Sequence, residues 1–356
     1  MKSSISLYLC LLLIVLISSM SCKKNKKDAY AFPLADQYQI DEEALIDAYE
    51  HADDFEQLHF LIVSRNGVII SEEYFHNSPP DSLYDVRSVT KSVTSSLLGI
   101  ALEKGFIDSV DQAMGDFIGP DIYDLEEDKA AITIKNLITM SSGIPWSEIG
   151  AVSEFGDWVR SPNQVNYILD KDMTYTPGSQ FNYSDGNAHL ISVILTEASG
   201  MNTLEIAGTY LFEKMDTEGY AWYTDNQGYY YGGVTMDLTP STMLKFGQLF
   251  LDEGNYMGEQ IIPTAWVTES TTNHINTNHI IPFQNDYGYF WWIGNAYGHD
   301  YFFANGYGGQ FILIIPDAEV VIVAVNNWIG LSRDQSGMNW TQTLDLIVNE
   351  VIPAIH

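Results

Sequence analysis

Ser88 and Lys91 lie three residues apart in the stretch SVTKSVTSSLLGIALEKG. At the first turn of a helix that spacing puts a hydroxyl and an amine on one face, close enough to touch. A serine hydroxyl is a weak nucleophile until a neighbour takes its proton. A lysine does this if burial and positive neighbours depress its pKa, or acts indirectly by holding a tyrosine as its phenolate. The spacing alone carries little weight: with 12 lysines in 356 residues, about one such pair is expected by chance, and Ser21 with Lys24 is one. Context separates the two pairs. Ser88 opens a run in which Val93, Leu97, Leu98 and Ala101 form an apolar stripe, with Lys104 and Gly105 as the stop. The helix N-terminus also sets partial positive charge and a backbone N–H beside the serine oxygen.

A tyrosine is the next requirement. Tyr183 in TPGSQFNYSDGNAHLISVI is the candidate, because it follows a Pro-Gly turn and directly precedes a helical run. Among 22 tyrosines a packing role is open to it as well. In FFANGYGGQFILIIP, Gly306, Gly308 and Gly309 precede a strand and allow a backbone to approach a ligand closely. Their N–H groups together with that of Ser88 could hold an oxyanion, or the glycines could form only a bulge or a turn.

The elements that must position these residues are legible as strands at both ends and helices between. LHFLIVSRNGVIISEEYF is two β-rich runs joined at Arg65, Asn66 and Gly67, a hairpin signal. GQFILIIPDAEVVIVAVNN is two apolar runs turning at Pro316 and Asp317, YGYFWWIG reads as a further strand, and MNWTQTLDLIVNEVI reads as a closing helix. Such strands, distant in sequence but equally apolar, are most simply buried in one antiparallel sheet covered by the first and last helices. In the middle, helices are expected from Thr133 to Gly143, from Asp185 to Gly200, and from Thr239 and Pro240 to Gly254. The expected organisation is an α+β fold at 39–356 with a mainly helical insertion at about 106–231.

Residues 1–22 carry Lys2, the apolar run ISLYLCLLLIVLI and the close SSMSC. The run is too short for a membrane span and reads as a secretory signal. Its ending resembles a bacterial lipoprotein signal in which Cys22 would carry the lipid, with Met20 where such signals prefer a smaller residue; an ordinary signal cut nearby is the alternative. The expected location is outside the cytoplasm, on an outer-membrane or periplasm-facing lipoprotein, with the membrane as a partner through the lipid. Residues 23–38, with four lysines, read as a flexible tether. Cys10 and Cys22 are the only cysteines, so the exported part has no disulfide or thiol chemistry. With 47 acidic against 16 basic residues, the surface is wrong for nucleic acid. The eight histidines are scattered and form no His-Glu-x-x-His pattern, so no metal is expected.

SVTKSVTSSLLGIALEKG, ITIKNLITMSSGIPW, TPGSQFNYSDGNAHLISVILTEASG and YFFANGYGGQFILIIPDAEVVIVAVNN resemble successive blocks of the serine β-lactamase-related hydrolases. That group includes class C β-lactamases, DD-peptidases, esterases and 6-aminohexanoate-dimer hydrolases. The resemblance spans roughly residues 40–350 in the expected order. It is nearest to the esterase and aminohexanoate-dimer branch, because Gly306, Tyr307 and Gly308 stand where β-lactamases carry Lys-Thr-Gly. The resemblance implies an antiparallel sheet flanked by helices, a helical second region and an active site between them. It also implies Ser88 as nucleophile, Lys91 as its activating partner and Tyr183 as the base that returns a proton to the leaving group. The N–H groups of Ser88 and Gly309 would form the oxyanion hole. The reaction would be acyl transfer through acyl-Ser88 to water, with an ester or amide substrate and no cofactor.

Two departures bear on substrate. The family's Tyr-x-Asn is Tyr-x-Asp here, ending in Asp185, which would stabilise a Lys91 ammonium and disfavour anions, or would merely cap the following helix. Gly306 removes a cation that a β-lactam or peptidoglycan carboxylate would pair with. Both point to neutral substrates. Trp146, Trp158, Trp222, Trp291, Trp292 and Tyr307 could line the pocket or belong to the core. A β-lactamase or DD-peptidase, and a non-catalytic peptide- or cell-wall-binding relative, are the alternatives.

Overall fold

The computed structural model describes residues 30–147, 153–281 and 284–356. The signal run, Cys22 and the lysines that follow lie outside them. Part of the expected tether is not a tether: Phe32 and Ala35 are buried, and the Phe32 ring packs 4.7 Å from that of Tyr49. The N–H of Phe32 donates to Glu42 at 2.9 Å, and Asp36–Tyr38 forms a helical turn. The cause is composition, since the apolar residues of FPLA gain more by covering the first helix than by remaining in water.

Eight strands form one antiparallel sheet. In chain order they are β1 Leu58–Arg65, β2 Val68–Tyr74, β3 Ile275–Ile281, β4 Gln284–Tyr287, β5 Trp292–Ala296, β6 His299–Gly306, β7 Gln310–Ile315 and β8 Val320–Asn326. Their spatial order is β2-β1-β8-β7-β6-β5-β4-β3, so the terminal hairpins meet at β1 and β8. The Asn66-Gly67 turn joins β1 to β2 with both residues at positive φ, as a tight hairpin requires. YGYFWWIG is not one strand. Tyr287 ends β4 and Trp292 begins β5, and between them Phe290 adopts φ 63°. That bend is held from outside the sheet, because the Phe290 carbonyl accepts from Ser92 at 2.8 Å and its N–H donates to Ile138.

Helices α1 Glu42–Ala52 and α5 Arg333–Leu346 cover one face, the first through Tyr49, whose hydroxyl donates to the Leu61 carbonyl. The opposite face takes α2 Val89–Glu103 and α4 Pro240–Leu251, with α3 Asp185–Ser199 packed on α2 from outside. The expected α2 stripe is buried, but so is every residue of 89–101. A helix between a sheet and another helix has no solvent face, and several of its small polar residues bond backbone instead: Thr94 donates to the Gly232 carbonyl at 2.7 Å and Ser96 to the Ser92 carbonyl.

Between α2 and α4 the chain makes short helices besides α3, and Met236–Leu238 pairs on one side with Tyr84–Asp85, just ahead of Ser88, and on the other with Tyr220–Trp222. The helix capped by Thr133 is only Ile134–Ile138 rather than reaching Gly143, because Met140 turns to φ 56° and 140–146 becomes a loop.

Candidate active site

Ser88 stands at the N-cap of α2 with helical φ and ψ, and its side chain makes no capping bond. A capping serine would spend its oxygen on the helix. Here the oxygen is left for Lys91, whose Nζ donates to Ser88 Oγ at 2.9 Å. Within the opening turn the N–H groups of Val89, Thr90 and Lys91 bond the carbonyls of Val86, Arg87 and Ser88. The N–H of Ser88 has no protein partner among the described residues, which leaves it available to a developing oxyanion.

Lys91 and Asp185 are each 1% exposed and form an ion pair through Oδ1. The Lys91 ammonium also donates to the Gly233 carbonyl at 3.0 Å. Ser88, Asp185 and Gly233 thus all accept from Lys91 Nζ, which faces them as a donor and a positive charge. That charge lies 4.8 Å from the centre of the Tyr183 ring, where it can stabilise a phenolate as one forms. Tyr183 thus lies beside the lysine that contacts the nucleophile.

The position of Tyr183 follows from the residue before it. Asn182 accepts from the Trp146 N–H at 2.8 Å and donates to the Trp146 carbonyl at 2.9 Å, while its own N–H bonds the Met140 carbonyl. The 140–146 loop thus clamps the chain immediately ahead of α3. Trp292 packs 5.5 Å from the Tyr183 ring and Tyr287 6.4 Å from it. Burial holds the Tyr287 hydroxyl well above the ordinary phenol range, with Tyr183 and Asp185 adding to the rise, so Tyr287 remains neutral beside the site.

For Asp185 and the tryptophans the structure decides between alternatives left open, and for Gly309 it corrects the expectation. Asp185 does not cap α3: Ser184 is the cap, accepting from Asn187 at 3.1 Å, while Asp185 Oδ1 accepts from Lys91. Gly309 is not an open oxyanion donor, because its N–H closes the turn onto the Gly306 carbonyl at 3.2 Å and its carbonyl accepts from Asn326. Trp158 and Trp291 are core residues with no exposed surface, and Trp146, Trp222 and Trp292 are also buried.

Gly306, by contrast, touches the segment that carries the nucleophile. A Cβ there would come 2.3 Å from the Val86 carbonyl, so the end of β6 can lie against residues 86–88 only as glycine. Gly308 borders Trp328, and Tyr307 is 36% exposed with its ring edge-on to Trp328.

Gly233 is the site residue the sequence reading missed. A Cβ on it would sit 3.1 Å from Asp185 Oδ1 and 3.2 Å from Lys91 Nζ. The signal was the Gly232-Gly233 pair directly after three tyrosines.

The sequence model of the beta-lactamase family matches residues 56–343. The 6-aminohexanoate-dimer hydrolase of Paenarthrobacter ureafaciens is 25% identical over 322 residues, covering 85% of this chain and 77% of that protein. Among solved structures, EstCE1, a hydrolase with promiscuous acyltransferase activity, superposes with a TM-score of 0.69 at 14% identity over 86% of this chain and 100% of its own. The octameric penicillin-binding protein homologue from Pyrococcus abyssi gives 0.65 at 18% identity, over 86% of this chain and 77% of its own. At these identities the structures speak for the fold.

Proposed function

The chain belongs to the beta-lactamase family and is a serine hydrolase; from that premise we propose that it is exported and cleaves ester or amide bonds of small molecules through an acyl-Ser88 intermediate. The observation that carries the reading is the 2.9 Å contact of Lys91 Nζ with Ser88 Oγ inside a buried network with Asp185 and Gly233. Ser88 Oγ attacks the carbonyl carbon and its proton passes to Tyr183. The oxyanion meets the Ser88 N–H, and Tyr183 returns the proton to the leaving oxygen or nitrogen. Water, deprotonated by the same tyrosine, then cleaves the acyl ester. Lys91 serves as the fixed charge that makes the phenolate accessible.

Around the scissile bond the preferred substrate is uncharged. Asp185 neutralises the Lys91 ammonium, and Gly306 leaves no room for a cation on the strand beside Ser88. The 6-aminohexanoate-dimer hydrolase relative supports a small amide or ester rather than a polymer. Export and lipid attachment rest on the apolar run ending at Cys22.

A fluorophosphonate probe tests the nucleophile directly. Labelling should map to Ser88, and Ser88→Ala should lose both the label and hydrolysis of p-nitrophenyl butyrate; label retained by that variant refutes the reading. Efficiency on the butyrate should exceed that on a cephalosporin, whose carboxylate adjoins the scissile bond, by at least about tenfold.

A further inference from the structure

His189 and Asp225 form a buried pair that has no part in the proton transfers at Ser88. The ring Nε2 lies 3.0 Å from Asp225 Oδ2, and neither side chain has exposed surface. A carboxylate only accepts, so the ring nitrogen facing it carries the hydrogen. The other ring nitrogen, Nδ1, is buried without a hydrogen-bond partner among the described residues. A polar atom left in that state is costly, and a leucine would fill much of the space without the cost. Packing alone therefore does not account for a histidine at 189, whereas the donor to Asp225 does.

Both ends of the pair lead to Lys91. His189 lies one helical turn beyond Asp185, on the same face of α3. Asp225 lies between the strands Tyr220–Trp222 and Met236–Leu238 and organises the loop that joins them. Its Oδ1 accepts from the N–H groups of Gln227 at 2.8 Å and Tyr229 at 2.9 Å, and its own N–H donates to the Tyr229 carbonyl at 2.8 Å. Tyr231 follows, its carbonyl accepting from Trp222 Nε1 at 2.9 Å and its ring 5.4 Å from that of His189. The next two residues present the carbonyls that α2 uses, Gly232 to Thr94 and Gly233 to Lys91. The chain there lies so close to α3 that a Cβ on Gly232 would come 2.1 Å from the carbonyl oxygen of Ala188, the residue before His189. Helix α3 thus reaches the lysine twice, directly through Asp185 and by way of His189, Asp225 and the loop that ends in Gly233.

We propose that His189 and Asp225 are positioning residues for the active site: the pair ties the 225–233 loop to α3 and so holds the Gly233 carbonyl where it fixes the direction of the Lys91 ammonium toward Ser88 Oγ. The inference rests on the acyl-Ser88 reading and goes beyond it, since neither side chain makes or breaks a bond itself. A small displacement of a group that acts only on the reacting atoms costs rate rather than substrate affinity.

Steady-state hydrolysis of p-nitrophenyl butyrate by the full chain, with the rate of fluorophosphonate labelling at Ser88 measured alongside, tests the pair. His189→Leu should lower kcat at least about tenfold and slow labelling by the same factor, with KM within about twofold of the parent. His189→Gln, whose side-chain amide can donate from near the place of Nε2, should recover most of the loss. Should the leucine variant fail to fold, His189→Leu with Asp225→Asn decides the matter, because it keeps the acceptor for Gln227 and Tyr229 and leaves no buried carboxylate without its donor. That double variant should be folded at the assay temperature yet remain at least about tenfold slower than the parent. Full kcat in either folded variant, a glutamine variant as slow as the leucine one, or a loss confined to KM overturns the proposal. A parent that the probe does not label at Ser88 removes the acyl-serine reading and this inference with it, whereas a labelled parent with a fully active leucine variant removes the inference alone.

Discussion

The carboxylate of Asp185 is turned onto the ammonium of Lys91, with both side chains 1% exposed, while its neighbour Ser184 caps the helix that carries it. A pair so buried is stabilising only as a pair. Asp185→Ala should therefore lower unfolding free energy by about 3–5 kcal/mol in urea titration. Asp185→Leu with Lys91→Met should recover most of that loss while remaining inactive. A loss in the single variant near that of an ordinary surface substitution would show that the pair is not desolvated in solution.

Lys91→Ala and Tyr183→Phe should each reduce kcat/KM for p-nitrophenyl butyrate by at least about a thousandfold. The double variant should fall little below the worse single one, because charge and base act in one proton transfer. Additive losses in steady-state kinetics would mean that the two residues work in separate steps.

Gly233→Ala would press a methyl against Lys91 Nζ and Asp185 Oδ1. The expected outcome is a fall in kcat of about tenfold or more with labelling of Ser88 slowed in proportion, and a melting temperature close to that of the parent. Unchanged kinetics would show that the Gly233 backbone can yield without moving the lysine.

Asp85 and Asp237 have their carboxyls raised above the ordinary range, in both cases chiefly by burial; Arg87 partly offsets the rise at Asp85, and the Asp85 charge adds to it at Asp237. A carboxyl raised in the folded state binds its proton more tightly there than in the unfolded chain. The stability it contributes is thus full below the unfolded value of about 4 and is lost as pH rises through the folded value. The net charge of −31 works in the same direction, so the variant is needed to isolate the pair. Asp85→Asn should flatten the decline in urea midpoint between acidic and neutral pH, and a decline as steep as the parent's would assign it to the surface charge.

Cys22 ends the apolar run as a lipidated cysteine would. In detergent-phase partitioning the intact protein should enter the detergent phase, and Cys22→Ser should yield a soluble or unprocessed form. Identical partitioning of the two would point to an ordinary signal peptide.

Local chemistry made much of this protein readable from its residues in order. The Asn66-Gly67 hairpin, the turn at Pro316-Asp317, the Thr133 and Thr239 caps and the stop at Gly200 each depend on one or two residues whose conformational preferences need no distant partner. Ser88 and Lys91 were legible for the same reason, since one helical turn brings them together whatever surrounds them.

What the tertiary structure decided is everything that depends on a partner far along the chain. Asp185 is 94 residues from Lys91 and Gly233 is 142 residues from it, and only the packing of α3 and the 232–233 backbone on α2 makes the lysine a fixed charge. The stripe on α2 predicted one buried face, but a helix enclosed between the sheet and α3 has no outward side. Tyr287 and Trp292 were one strand by pattern until Ser92 and Ile138 claimed the backbone of Phe290 between them. Arg87 gave no signal beyond its place before Ser88. Its surroundings, the rings of Phe155, Tyr307 and Trp328, meet around it only in the folded chain. Hydrogen bonds within a turn are encoded where they are made, whereas burial and electrostatic environment belong to surfaces assembled from the whole chain.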